Sequence, residues 1–149
     1  MNISNSFAIS ASALTAQRLR MDVISSNIAN AETTRARIVN GEAVPYRRKT
    51  VVLEPGQASF EQMLRAEMSG GQAFQGVKVG KVQEDQSPLK LVYNPNHPDA
   101  NAEGYVYMPN VDITKEMVDM ISASRSYEAN VTAINASKAM IMKALEIGR

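Results

Sequence analysis

Residues 110–147 read NVDITKEMVDMISASRSYEANVTAINASKAMIMKALEI and contain neither proline nor glycine, so nothing in them interrupts a helical hydrogen-bond ladder. A 3,4 alternation starting at Ile113 falls on Ile113, Met117, Met120, Ser124, Tyr127, Val131, Ile134, Lys138, Ile141 and Leu145. Only Ser124 and Lys138 break that apolar row, and the spacing predicts one long helix with a continuous seam. Asn110 or Asp112 is placed to cap its start, and Gly148 follows its last apolar residue. At the α-helical rise such a helix is roughly 55 Å long. A compact domain of similar chain length has a radius of gyration of only about 15 Å, so the rest of the chain is expected to leave part of this helix uncovered.

The opposite end of the chain carries a second helical pattern, over residues 4–30. Phe7, Leu14, Met21 and Ile28 recur at sevens, with Ile24 on the neighbouring row, and Ile9, Ala16, Leu19 and Val23 form a second stripe on roughly the opposite face. The last helix is also two-sided, because Ala129, Ala133, Ala136, Met140 and Ile147 lie about 200° round from its seam. Double rows fit either the core of a small helical bundle or contacts with other subunits. The second reading is favoured because residues 31–109 offer little apolar surface to cover both helices on two sides.

That middle region is punctuated by Gly and Pro from Gly41 to Pro109. Short apolar runs at 46–53, 77–82, 89–93 and 105–108 read as strands, and NPNHPDAN at 94–101 as a turn. Ser59 and Gln62 form a capping box for a short helix at 59–68 that ends at Gly70. The expected fold is mainly α with a small β-rich insert. Long N- and C-terminal helices pair as an antiparallel coiled-coil-like unit in an elongated subunit. Its segments are an N-terminal helix at 1–34, the insert at 35–109 and a C-terminal helix at 110–149.

Chemistry is hard to find in this chain. It has no cysteine and one histidine, His97, in the Pro-rich turn, so no thiolate site and no His-activated nucleophile is expected. GVKVGK at 76–81 has the wrong glycine spacing for a phosphate loop and reads as a strand. Neither Glu84 with Asp85 nor Asp112 with Glu116 suggests an acid and a base facing each other across a cleft. No enzyme activity, metal or cofactor is expected. A net charge of +1 does not point to nucleic acid, and no stretch is apolar enough to insert in a membrane. The N-terminus lacks the pattern of a cleaved signal peptide. Arg35, Arg37, Arg47, Arg48 and Lys49 form a basic cluster that reads as a solvated loop and strand edge, or else as a contact for an acidic partner.

Two stretches resemble a known family. ISSNIANAETT at 24–34 holds Ser26, Asn27, Ala29, Asn30, Thr33 and Thr34 in the arrangement found after the first helix of the rod and hook axial proteins of the bacterial flagellum. Residues 97–140, with Gly104, Tyr105, Pro109, Asn110 and Val111, are similar to the C-terminal region of the same family. YRRKTVVLE, SFEQML and GVKV narrow the likeness to the short proximal rod subunits. One departure is Arg35, where the family often has Gly.

The resemblance implies a structural subunit, exported through the flagellar type III apparatus without a cleaved signal and built into the rod that crosses the periplasm. It also implies terminal helices stacked around a channel, with the insert facing outward. Phe7, Leu14, Met21, Ile24 and Ile28 of the first helix would make subunit contacts, as would Ile113, Met117, Met120, Tyr127, Val131, Ile134, Ile141 and Leu145 of the last. The partners would be further copies, the other proximal rod proteins, the adjoining distal rod and the export-gate adaptor. Another type III-exported filament or needle subunit, or a cytosolic helical adaptor, remain alternatives.

Overall fold

Proline at 109 and the carboxylate of Asp112 set where the last helix begins. In the computed structural model, which describes residues 3–39, 42–56, 63–64, 68 and 76–147, two long helices, α1 (Ile3–Ala29) and α2 (Ile113–Ile147), flank six short strands. Asp112 is the N-cap of α2: its Oδ1 accepts the backbone N–H of Thr114 at 3.0 Å, satisfying a donor that the helix itself cannot. Asn110, the other candidate cap, bonds elsewhere. Met63, Leu64 and Met68 are helical; the rest of the 59–68 helix, with Ser59, Gln62 and Gly70, lies outside the described residues, as does Gly148.

The strands form three separate two-stranded sheets. β1 (Arg37–Val39) pairs antiparallel with β2 (Glu42–Val44), with Arg37 opposite Val44. β3 (Lys49–Pro55) pairs with β4 (Val77–Glu84), and β5 (Lys90–Tyr93) pairs antiparallel with β6 (Tyr105–Met108), with Tyr93 opposite Tyr105. Four of these match the expected strands, with β3 starting later because the Tyr46 N–H goes to Thr33 O and the Arg48 N–H to Asn110 Oδ1, outside the strand ladder. The β1–β2 hairpin was not expected. An isolated two-stranded ribbon is marginal in water, so each must draw stability from whatever it packs against.

The chain divides into two compact units. The first comprises residues 1–19, 52–81 and 123–149. Here Ala16 and Ala123 are 2% and 0% exposed, the small residues that let backbones approach closely. The start of β4 lies on the Ile9 side of α1. Ser12 Oγ donates to Ile9 O at 2.7 Å and accepts the Val77 N–H at 3.0 Å. Gly76 permits this approach, since a Cβ there would run into the Ser12 side chain. The second stripe of α1 is thus partly covered by the insert.

The second unit comprises residues 20–51 and 82–122. Its apolar core is small: Ile24, Tyr46, Val106, Val111 and Pro109 are buried around two polar groups, Asn27 and Glu116. Arg20 pairs with Asp119 at 3.8 Å, and Asn27 bonds Glu116 at 3.0 Å. Within this unit later positions on α1 thus meet earlier positions on α2, so the two helix segments run antiparallel here. Immediately before β6, where its carbonyl accepts the Asn94 N–H, Gly104 adopts φ +82°, a conformation that strains any residue with a Cβ. The hairpin closes with the rings of Tyr93 and Tyr105 edge to face at 5.3 Å. No described helix is long and apolar enough to cross a membrane.

Candidate functional site

Asn27 sits in the last full turn of α1, in the run of short polar residues expected to end that helix. Its amide mimics a neighbouring strand. Nδ2–H donates to Lys49 O at 2.8 Å, and Oδ1 accepts the Lys49 N–H at 2.9 Å, so one side chain satisfies both backbone groups at the start of β3. The second Nδ2 proton goes to Glu116 Oε2 at 3.0 Å, and Oδ1 also accepts the Tyr46 hydroxyl at 3.0 Å. Every strong hydrogen-bonding position of a residue only 1% exposed is therefore used.

Glu116, fully buried on the first turn of α2, accepts Arg48 Nε–H at 2.6 Å through its other oxygen. Arg48 is also 3.4 Å from Asp119 and 3.6 Å from Asp85. Its backbone N–H donates to Asn110 Oδ1 at 2.8 Å, and its carbonyl accepts the Asp85 N–H at 2.7 Å. Burial by itself would lower the Arg48 pKa. The hydrogen bond and charge of Glu116, with the charges of Asp119 and Asp85, outweigh it and raise the pKa instead. Arg48, with a side chain 17% exposed, is thus no solvated member of the basic cluster. It joins the entry to β3, the 85–87 loop and the start of α2. Sequence reasoning missed this role. The available signal was the helical spacing of Asp112 and Glu116, which puts Glu116 one turn inside the helix beside the seam.

The motif residues lie in the same unit. Asn30 Nδ2 donates to Ser26 O at 2.8 Å, and Thr33 O accepts the Tyr46 N–H at 3.0 Å, which fixes the turn after α1. Ser26 Oγ is 3.4 Å from the Tyr46 hydroxyl, whereas Ala29 is exposed. Thr34 and Arg35 both grip Asp99: Thr34 Oγ1 donates at 2.9 Å and Arg35 Nε at 3.1 Å. The residue that departs from the family pattern thus has a partner in the 94–101 turn. Val111 O accepts Lys90 Nζ at 2.7 Å, and Pro109 and Val111 are buried. His97 is a turn-packing residue whose Nδ1 accepts the Asp99 N–H at 3.1 Å.

Two carboxylates are held below their ordinary range. Asp99 is lowered by the Arg35 hydrogen bond and then by Thr34, and Asp85 by the Ser87 hydroxyl, then the Ser87 N–H, with Arg48 contributing less. Each binds fewer protons folded than unfolded. Stability from both is fully present above the unfolded value near pH 4 and is lost as pH falls through the folded pKa. The urea midpoint is therefore expected to drop between pH 5 and pH 3, and Asp99→Asn should shallow that drop while lowering the pH 7 midpoint.

The residues expected to contact other subunits divide by exposure. On α1, Ile24 is buried and Phe7, Leu14, Met21 and Ile28 are half-buried. On α2, Met120, Tyr127, Val131, Ile134 and Ile141 are half-buried, while Ile113, Met117 and Leu145 are exposed. Four further apolar residues of α2 are exposed, Met140 of its second row at 61% and three on neither expected row: Val118 at 62%, Ile121 at 61% and Met142 at 53%. Ile121 continues an i, i+4 row from the seam positions Ile113 and Met117, a periodicity legible in the sequence. Among the described residues no cluster of His, Cys, Asp or Glu is placed to hold a metal.

Residues 7–37 match the family model for flagella basal body rod proteins, and residues 102–147 match that for the C-terminal region of the flagellar basal body rod FlgEFG proteins. The chain is 63% identical to the flagellar basal-body rod protein FlgC of Bacillus subtilis, with both chains covered completely. It is 45% identical to FlgC of Salmonella typhimurium, again over all of both chains, and 44% identical to FlgC of Borreliella burgdorferi, over 99% of this chain and 98% of that one.

Proposed function

This chain belongs to the FlgC family of flagellar basal-body rod proteins, and from that premise we propose that it forms part of the proximal rod, its terminal helices assembling into a hollow axis that transmits torque and conducts exported subunits. It is a structural subunit of the basal-body rod and assembles with other rod proteins. The observation that carries the finer reading is the apolar surface left open on α2. Exposed Ile113, Met117, Val118 and Ile121 lie in the second unit, and exposed Met140, Met142 and Leu145 in the first.

Burying a side chain of this size is worth about 1.5–3 kcal/mol, and a contiguous exposed patch marks an interface. Helices of neighbouring copies, of the other proximal rod proteins and of the adjoining distal rod and export-gate adaptor supply that cover. The half-buried seam from Phe7 to Ile28 and from Met120 to Ile141 closes further on assembly, with coiled-coil-like packing. The subunit reaches its place in the periplasm through the flagellar export apparatus, and it turns over no substrate. In cells lacking this chain, isolated basal bodies should carry no rod beyond the export gate, and expression of the chain in trans should restore it. Complete rods in its absence would refute the reading.

A further inference from the structure

The second unit has an open cleft of about 490 Å³. Arg35, Arg37, Arg47 and Lys49 line it, together with Tyr46 and a single carboxylate, Glu84. Arg35 is neutralised by Asp99, and Arg37 lies 3.7 Å from Glu84. Arg47 and Lys49 form no ion pair among the described residues, yet both are held in place. Arg47 Nη1 points to Asp85 O at 3.4 Å, and Lys49 Nζ sits 5.6 Å from the centroid of the Tyr46 ring.

Two uncompensated cations in a recess of this size call for an anion, and guanidinium forks favour carboxylate or phosphate oxygens. The surroundings choose between these. Beside Arg37 on β1, Ile38 and Val39 are 67% and 47% exposed. Among the described residues β1 pairs with β2 alone, so its outer edge presents backbone groups with no ladder partner there. A bare anion uses neither the apolar side chains nor the strand edge. An extended peptide uses both, adding main-chain hydrogen bonds along the edge and directing alternate side chains into the cleft. We propose that this cleft and the β1 edge form a docking site for an extended, acidic and partly apolar peptide segment of a partner protein.

The site lies apart from the exposed face of α2, and the inference does not depend on the position of the subunit in the rod. The test uses the purified full chain and a fluorescein-labelled heptapeptide of alternating Glu and Val, followed by anisotropy. Saturable binding is expected, weakening at least about tenfold in the Arg47→Gln/Lys49→Gln variant and with a Gln-for-Glu peptide. It should also weaken as salt rises from 50 to 300 mM. Arg125→Gln, which removes an exposed cation on α2, should leave binding unchanged. Circular dichroism on each variant confirms that the fold is kept, and Ile38→Asn, which keeps every charge, gives a second handle by weakening binding through the apolar shoulder. Equal affinity for the Gln peptide, equal loss with Arg125→Gln, or complete displacement by millimolar inorganic phosphate at constant ionic strength would each overturn the proposal.

Discussion

Replacing Arg48 with methionine is expected to lower the unfolding free energy by about 3 kcal/mol or more, the cost of leaving a buried carboxylate without its cation. Glu116 is fully buried and has two described partners, Arg48 and Asn27. Methionine keeps much of the aliphatic stem, so packing changes little and the charge is what is lost. Asp119 and Asp85 would then face Glu116 with no guanidinium between them, adding like-charge repulsion. Replacing both partners, as Arg48→Met with Glu116→Leu, should recover a large part of the loss, because a buried ion pair is worth little against an apolar pair of similar shape. Urea denaturation of the wild type, the two single variants and the double variant closes the cycle. A single-variant loss below about 1 kcal/mol would mean that the pair behaves as an exposed one.

Asn27→Ala acts on the same group of residues by another route, stranding the backbone of Lys49 and removing a donor from Glu116. Arg48 and Asn27 together explain why a short β-rich insert can hold two helix ends. Its apolar core is thin, and much of the specificity comes from polar groups with no freedom left in their bonding.

The long elements were legible because their signals are periodic. Pro- and Gly-free heptad-like rows located both long helices, the pattern over 4–30 appearing as Ile3–Ala29 and the row that starts at Ile113 falling on Ile113–Ile147, and Asp112 behaves as a cap must. The strands expected at 77–82, 89–93 and 105–108 from short apolar runs between Pro and Gly appear as 77–84, 90–93 and 105–108. The β1–β2 hairpin was missed because RIV and EAV are three-residue strands whose side chains are mostly exposed or half-exposed, too short to show alternation. Arg48 was read as one of a solvated cluster because composition cannot tell which of three consecutive cations at 47–49 turns inward. That choice depends on Glu116, 68 residues away in sequence. Motif residues such as Asn27 and Asn110 were recognised as a pattern before their bonding was evident. Short amides bonding the backbone of a distant segment leave no periodic trace.

Placing aspartate at Ile121 or Leu145 is expected to abolish swimming while changing the stability of the free subunit by no more than about 0.5 kcal/mol, the usual range for an exposed substitution. Both side chains are more than half exposed in the isolated chain, at 61% and 67%, so a carboxylate there keeps its water. In the rod the same position is to be covered by a neighbouring helix, where an unpaired charge costs several kcal/mol. The penalty recurs at every copy, so a modest cost per contact stops a growing assembly that would tolerate it in a single dimer. Ile24→Asp is the contrasting case. Ile24 is 5% exposed within one subunit, so that substitution should unfold the monomer and block motility for a different reason. Comparing urea midpoints of purified variants with swim-plate expansion and with rods recovered from cells separates the two causes. Normal motility with both Ile121→Asp and Leu145→Asp would show that this face of α2 stays in solvent, and the apolar rows would then need another occupant.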